Sequence, residues 1–217
     1  MKIAELRERV RIAREDEAND EALRNWLERK LPELHRSIST REDTHTTLFN
    51  FIQAYVERVP DMLEAAQSVA NNANMRPQLI PVLKVAEAFF LQPEQVEGVN
   101  ESHRGLLLLL DEAYLAHRLV EEVNDHYVAH GGESLIPMNN TRANLIVHEL
   151  LGEDYANQLD TAVYQAVAGL LPDEIFESPA FVAYREGVGE RDRHEIWRRW
   201  PNMAAELGVG LSWRDNL

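Results

Sequence analysis

Cysteine is absent from all 217 residues, so disulfides, thiolate nucleophiles, iron–sulfur clusters and cysteine-ligated zinc are excluded for this chain. Glycine is scarce, at ten residues, and none is arranged as the GxGxxG or GxxxxGK(S/T) loops that cradle phosphate on backbone amides. A GxSxG nucleophile elbow is missing as well. No apolar run approaches the ~20 residues needed to cross a bilayer: the leucine run Leu106–Leu110 stops at Asp111 and Glu112. No stretch alternates polar and apolar residues as a half-buried strand would, and no repeat of fixed period suggests a solenoid.

Basic residues are also scarce where they would matter. Between Leu91 and Glu177 sixteen carboxylates face only Arg104, Arg118 and Arg142, and this stretch carries nearly all of the formal net charge of -15. The flanks are close to balanced. Such a field repels phosphate backbones, so nucleic acid is not an expected partner, whereas a basic partner or a cation is compatible with it. The opening MKIAELRERVRIAREDE has no apolar core of a secretory signal, and a cytoplasmic location is the expectation.

What is present is helical periodicity. The segment Gly105–His130 advances as one long helix in which Leu109, Ala113, Ala116, Val120, Val123 and Tyr127 share a face. Leu106, Leu110 and Val128 widen that stripe on one side, and Leu108, Leu115 and Leu119 on the other. Only a narrow sector, with Asp111, Arg118, Glu121, Glu122 and Asp125, stays polar. A helix with so small a wet face belongs at the centre of a bundle.

The fold class expected is therefore all-α, a multi-helix bundle packed around the central helix at about 105–130. A single domain over 1–217 is expected, with 1–18 as an N-terminal helical arm and 173–217 as a C-terminal segment closing the bundle. Ser39 and Glu42 have capping-box spacing for a helix running to about Val59. Pro81 is expected in a first helical turn, Asn139, Asn140 and Thr141 as N-caps, Gly152 as a break, and Ser178-Pro179 as a helix start. Gly131-Gly132 should end the central helix.

Carboxylates and imidazoles on helices remain as candidate chemistry, because bundle proteins build metal sites from such side chains. Glu122, His126 and His130 recur every four residues and could present one ion with two imidazoles and a carboxylate. One helix leaves that coordination sphere incomplete, and no second motif of known spacing completes it, so the line is expected to be structural. His117 and Glu121 are also four apart, with His117 and Asn124 turned inward. His45 follows Glu42 at Glu-x-x-His spacing but lacks the second such motif that di-metal bundles require. His148 sits in an apolar helix and needs a hydrogen-bond partner. Trp197, Arg198, Arg199 and Trp200 form a basic aromatic patch of the kind enriched at interface hot spots. The expected function is a non-enzymatic protein-interaction or regulatory module, with a protein partner or a second copy and no cofactor. The alternative is a metal-dependent bundle enzyme or small-ligand carrier using these His and Glu side chains.

Overall fold

The computed structural model describes residues 1–72, 74–91, 105–131, 134, 136, 138–187 and 203–211. In chain order the helices are α1 (Ile3–Asp20), α2 (Ala22–Lys30), α3 (Thr44–Glu57), α4 (Val59–Asn72), α5 (Arg76–Leu91), α6 (Gly105–Leu108), α7 (Leu110–Gly131), α8 (Thr141–Leu151), α9 (Glu153–Leu170), α10 (Pro179–Gly187) and α11 (Met203–Glu206). Short 3-10 turns cover Leu31–Glu33 and Asp173–Glu177. The fold is an all-α multi-helix bundle. One small departure is an antiparallel ribbon in which β1 (Ile38–Thr40) pairs with β2 (Val209–Leu211), Ser39 opposite Gly210. Three-residue strands are too short to show a polar–apolar alternation, which is why periodicity passes over them.

Helix α7 is central, packing against α3, α4, α5, α6, α8, α9 and the 3-10 turn at Asp173–Glu177. The stripe from Leu109 to Tyr127 is buried throughout. Its expected margins are only partly covered, since Leu108 and Val128 reach solvent while Leu106, Leu110, Leu115 and Leu119 do not. The long helix is also divided: helical geometry lapses at Leu109, and the leading turn α6 is directed onto α1 and α2. Gly105 makes that turn possible, because its φ is +60° and a Cβ there would collide with the backbone of Ala13 and Glu17.

Helix α1 packs against α3, α4, α5 and α6 through Leu6, Val10, Ala13 and Glu17. Glu17 is the unexpected member of that face. Its carboxylate accepts hydrogen bonds from the amides of Leu23 and Arg24, the free donors at the start of α2. Burial nevertheless raises the Glu17 pKa, with those amides opposing the shift.

Local signals were displaced in three places. Ser39 does not cap α3 but lies in β1, and the cap is Asp43, whose carboxylate accepts from the Thr46 amide at 2.8 Å. Pro81 is inside α5, not in its first turn, which Pro77 occupies. The buried side chains Leu79, Val82, Leu83, Ala86 and Phe90 hold the helix through it, the four larger ones each contributing roughly 1.5–3 kcal/mol against the single hydrogen bond that proline removes. Asn140 precedes α8 without capping it by its side chain, which is used elsewhere. Gly152 does separate α8 from α9, and the Ser178 hydroxyl accepts from the Phe181 amide at the start of α10.

The C-terminal elements close one end of α7 with rings. Tyr127 meets Phe176, Phe181 and Tyr184 edge-on, the geometry favoured by aromatic quadrupoles. The loop Gln92–Glu101, Gly132 and the expected helix from Asp192, with its Trp197, Arg198, Arg199 and Trp200 patch, lie outside the described residues.

Candidate functional site

Helices α3, α7, α8 and α9 converge on a chain of polar side chains that begins in the core and ends near the surface. His117, on the inward face of α7, is completely buried. Its Nε2 donates to the Tyr55 carbonyl at 2.9 Å, since a carbonyl can only accept. Nδ1 is then the acceptor and takes the Asn140 amide at 3.0 Å. The imidazole also stacks on the Tyr55 ring, with centroids 4.0 Å apart. Burial pulls the His117 pKa down to about 4, the Tyr55 carbonyl opposing this, so the ring is neutral at physiological pH.

From Tyr55 the chain turns outward. The phenol donates to Asn144 Oδ1 at 2.6 Å, and the Asn144 amide donates to Glu121 Oε2 at 2.5 Å. Glu121 also receives Arg118 Nη1 at 2.5 Å, and Arg118 Nε reaches Asp160 Oδ1 at 2.9 Å. Tyr114 donates to the same Asp160 oxygen at 2.9 Å. At the outer end His148 Nε2 donates to Asn157 Oδ1 at 3.2 Å and lies 3.8 Å from Asp160 Oδ2. Desolvation works to lower the Arg118 pKa, but Asp160 and Glu121 raise it above its ordinary value. Burial raises both tyrosine pKa values, that of Tyr114 with help from Asp160. Each group in the chain has its partner inside the protein, an arrangement that fixes four helices in register.

The expected pair His117 and Glu121 thus belongs to one network with His148, though His117 and Glu121 meet only through Tyr55 and Asn144. His45 is elsewhere: its Nε2 donates to the Arg24 carbonyl at 3.2 Å and ties α3 to α2. Glu42 precedes α3 and does not share a helix with His45. Asn124 pins the chain after α7, donating to the Ile136 carbonyl at 2.7 Å and accepting from its amide at 2.8 Å. Tyr55, Asn140, Asn144 and Asp160 were not legible as site residues. Tyr55 reads as core and Asn140 as a cap, and no spacing joins residues on separate helices.

A second cluster lies at the C-terminal end of α7. His126 Nε2 is 3.6 Å from Glu122 Oε1, as helical spacing implies. The fold adds what one helix could not. Asp173, in the 3-10 turn after α9, brings Oδ1 to 3.6 Å from His130 Nε2, and ligand atoms of His126, His130 and Asp173 all fall within 4.8 Å of one another. Among the described residues this is the one group of three or more such side chains close enough to hold an ion.

No family model, curated protein or solved structure matches the chain. No described helix is long and apolar enough to cross a membrane.

Proposed function

We propose that this chain acts by docking a positively charged protein surface, as an interaction or regulatory module, and not by catalysing a reaction. The observation that carries the reading is the excess of exposed carboxylates over exposed arginine among the described residues of the acidic middle of the chain. Arg118 is consumed internally by Glu121 and Asp160, and the exposed Arg142 is outnumbered by Asp125, Glu149, Glu153, Asp154, Glu174 and Glu177, all exposed. Complementary potentials of this kind accelerate encounter and select partners. The buried imidazole of His117 fits the same reading, since both its nitrogens are committed within the fold. Like-charge repulsion between copies makes a basic heterologous partner the preferred occupant over a second copy.

The test is capture from native lysate with the wild type and with a Glu149→Lys/Glu153→Lys/Asp154→Lys variant, with solution mass measured in parallel. A specific partner retained by the wild type and lost on charge reversal and in high salt is expected. A monomer that captures nothing and copurifies with a small organic ligand would overturn the proposal in favour of a carrier or enzyme.

A further inference from the structure

We infer that His126, His130 and Asp173 form a site for a divalent transition-metal ion of the zinc class. The tautomer of His130 is the first support. Its Nδ1 lies 2.9 Å from the His126 carbonyl and must carry a proton, so that in the neutral ring the lone pair is on Nε2, the nitrogen 3.6 Å from Asp173 Oδ1. Metal-ligating histidines characteristically donate their second nitrogen to a carbonyl or carboxylate in this way, fixing the ring and raising its basicity.

The second support is rigidity. Phe176, itself buried, lies parallel to the His130 ring within 5° at a centroid distance of 4.2 Å. The His126 and His130 rings are parallel within 4°. Both imidazoles are thereby presented from α7 in one orientation, and Phe176 belongs to the same turn that supplies Asp173.

The third support is distance and charge. Tetrahedral zinc with donors at about 2.0–2.1 Å brings neighbouring donor atoms to roughly 3.3 Å from one another. The His130–Asp173 pair already stands at 3.6 Å, all three donor atoms lie within 4.8 Å of one another, and the Asp173 side chain is 79 % exposed, so closing the set needs shifts of roughly 1.5 Å or less. The last turn of α7 favours a cation through the helix dipole, and Glu122 adds its carboxylate beside His126. Two imidazoles and one carboxylate suit zinc, nickel or copper better than magnesium or calcium, which prefer oxygen. The fourth position is left to water. An ion so placed staples the 3-10 turn at Asp173–Glu177 to the end of α7.

The experiment uses the full chain, free of any histidine tag and dialysed against chelator, titrated calorimetrically with zinc chloride at pH 7. One zinc per chain is expected, with a melting temperature raised by about 5–10 °C once free zinc exceeds Kd a hundredfold. His126→Gln and Asp173→Asn should each weaken binding at least tenfold while circular dichroism stays unchanged. Both leave the closer His130–Phe176 stack at 4.2 Å in place; of the Phe176 contacts His126→Gln removes only the wider parallel one at 6.2 Å, and Asp173→Asn removes neither. Uptake of no zinc near one equivalent, or equal uptake by both variants as for adventitious surface binding, would overturn the inference, and calcium binding as tight as zinc would overturn the metal class.

Discussion

His117 grips Tyr55 twice, by a 2.9 Å hydrogen bond from Nε2 to its carbonyl and by stacking on its ring at 4.0 Å. One buried side chain on α7 therefore fixes both the height and the rotation of α3. His117→Ala removes the packing and strands the Asn140 amide, so it should destabilise the protein by about 3–4 kcal/mol. His117→Phe keeps a ring but loses both hydrogen bonds and should cost about 2 kcal/mol. Urea denaturation at pH 7 measures both: a neutral His117→Phe would mean that the hydrogen bonds contribute nothing, and two equal losses that the ring packing contributes nothing.

A buried group and a half-buried one oppose each other in their response to pH. His117 has a folded pKa depressed from 6.5 to about 4, so the unfolded chain binds a proton that the folded chain refuses. Stability falls as pH drops through that window, by about 3 kcal/mol in full. Glu112 has a folded pKa raised from 4.5 to about 7, chiefly by burial and also by Asp111, with its own backbone amide and then Arg9 opposing, and its Oε2 is buried with no hydrogen-bond partner among the described residues. Here the folded chain holds the extra proton, so stability falls as pH rises from 4.5 to 7. Glu112→Gln should therefore gain on the wild type as pH rises, by about 1–3 kcal/mol at pH 8 and by little at pH 4.5. Thermal melts from pH 4.5 to 8 read the difference, and a constant offset would contradict it.

Arg118 stands between two carboxylates that are themselves mostly covered. Arg118→Met leaves Glu121 and Asp160 without their counter-charge and should cost about 3 kcal/mol, the usual scale for breaking a buried pair. Adding Asp160→Asn to that variant should recover part of the loss. A double-mutant cycle decides, and strict additivity would show that Arg118 and Asp160 do not couple.

Gly105 is held at φ +60° with space for hydrogen only: a Cβ there would lie 2.9 Å from the Glu17 amide nitrogen and 3.1 Å from the Ala13 carbonyl oxygen. Gly105→Ala should destabilise by about 3 kcal/mol, from left-handed strain together with displacement of α1. Chemical denaturation tests this, and a neutral effect would mean that α6 does not dock on α1 as described.

The sequence by itself determined the class and centre of this protein, because burial of a wide apolar sector at a period of 3.6 is a local property. The stripe Leu109 to Tyr127 needs no knowledge of its neighbours to be assigned inward. The break at Leu109 was not legible, since the apolar pattern runs through it and only the docking of α6 on α1 reveals it. Asp43 as the cap of α3 depended on the β1–β2 ribbon, which joins residues some 170 positions apart. The same limit governs the candidate sites. Glu122, His126 and His130 share a helix and were visible together, but Asp173 approaches His130 only because α8 and α9 return the chain to the end of α7. His117 could be assigned inward from its register, whereas its partners Tyr55 and Asn140 lie 62 and 23 residues away and were chosen by packing. Periodicity reports which side of an element avoids water; only the tertiary structure decides which buried polar atoms from separate elements satisfy one another.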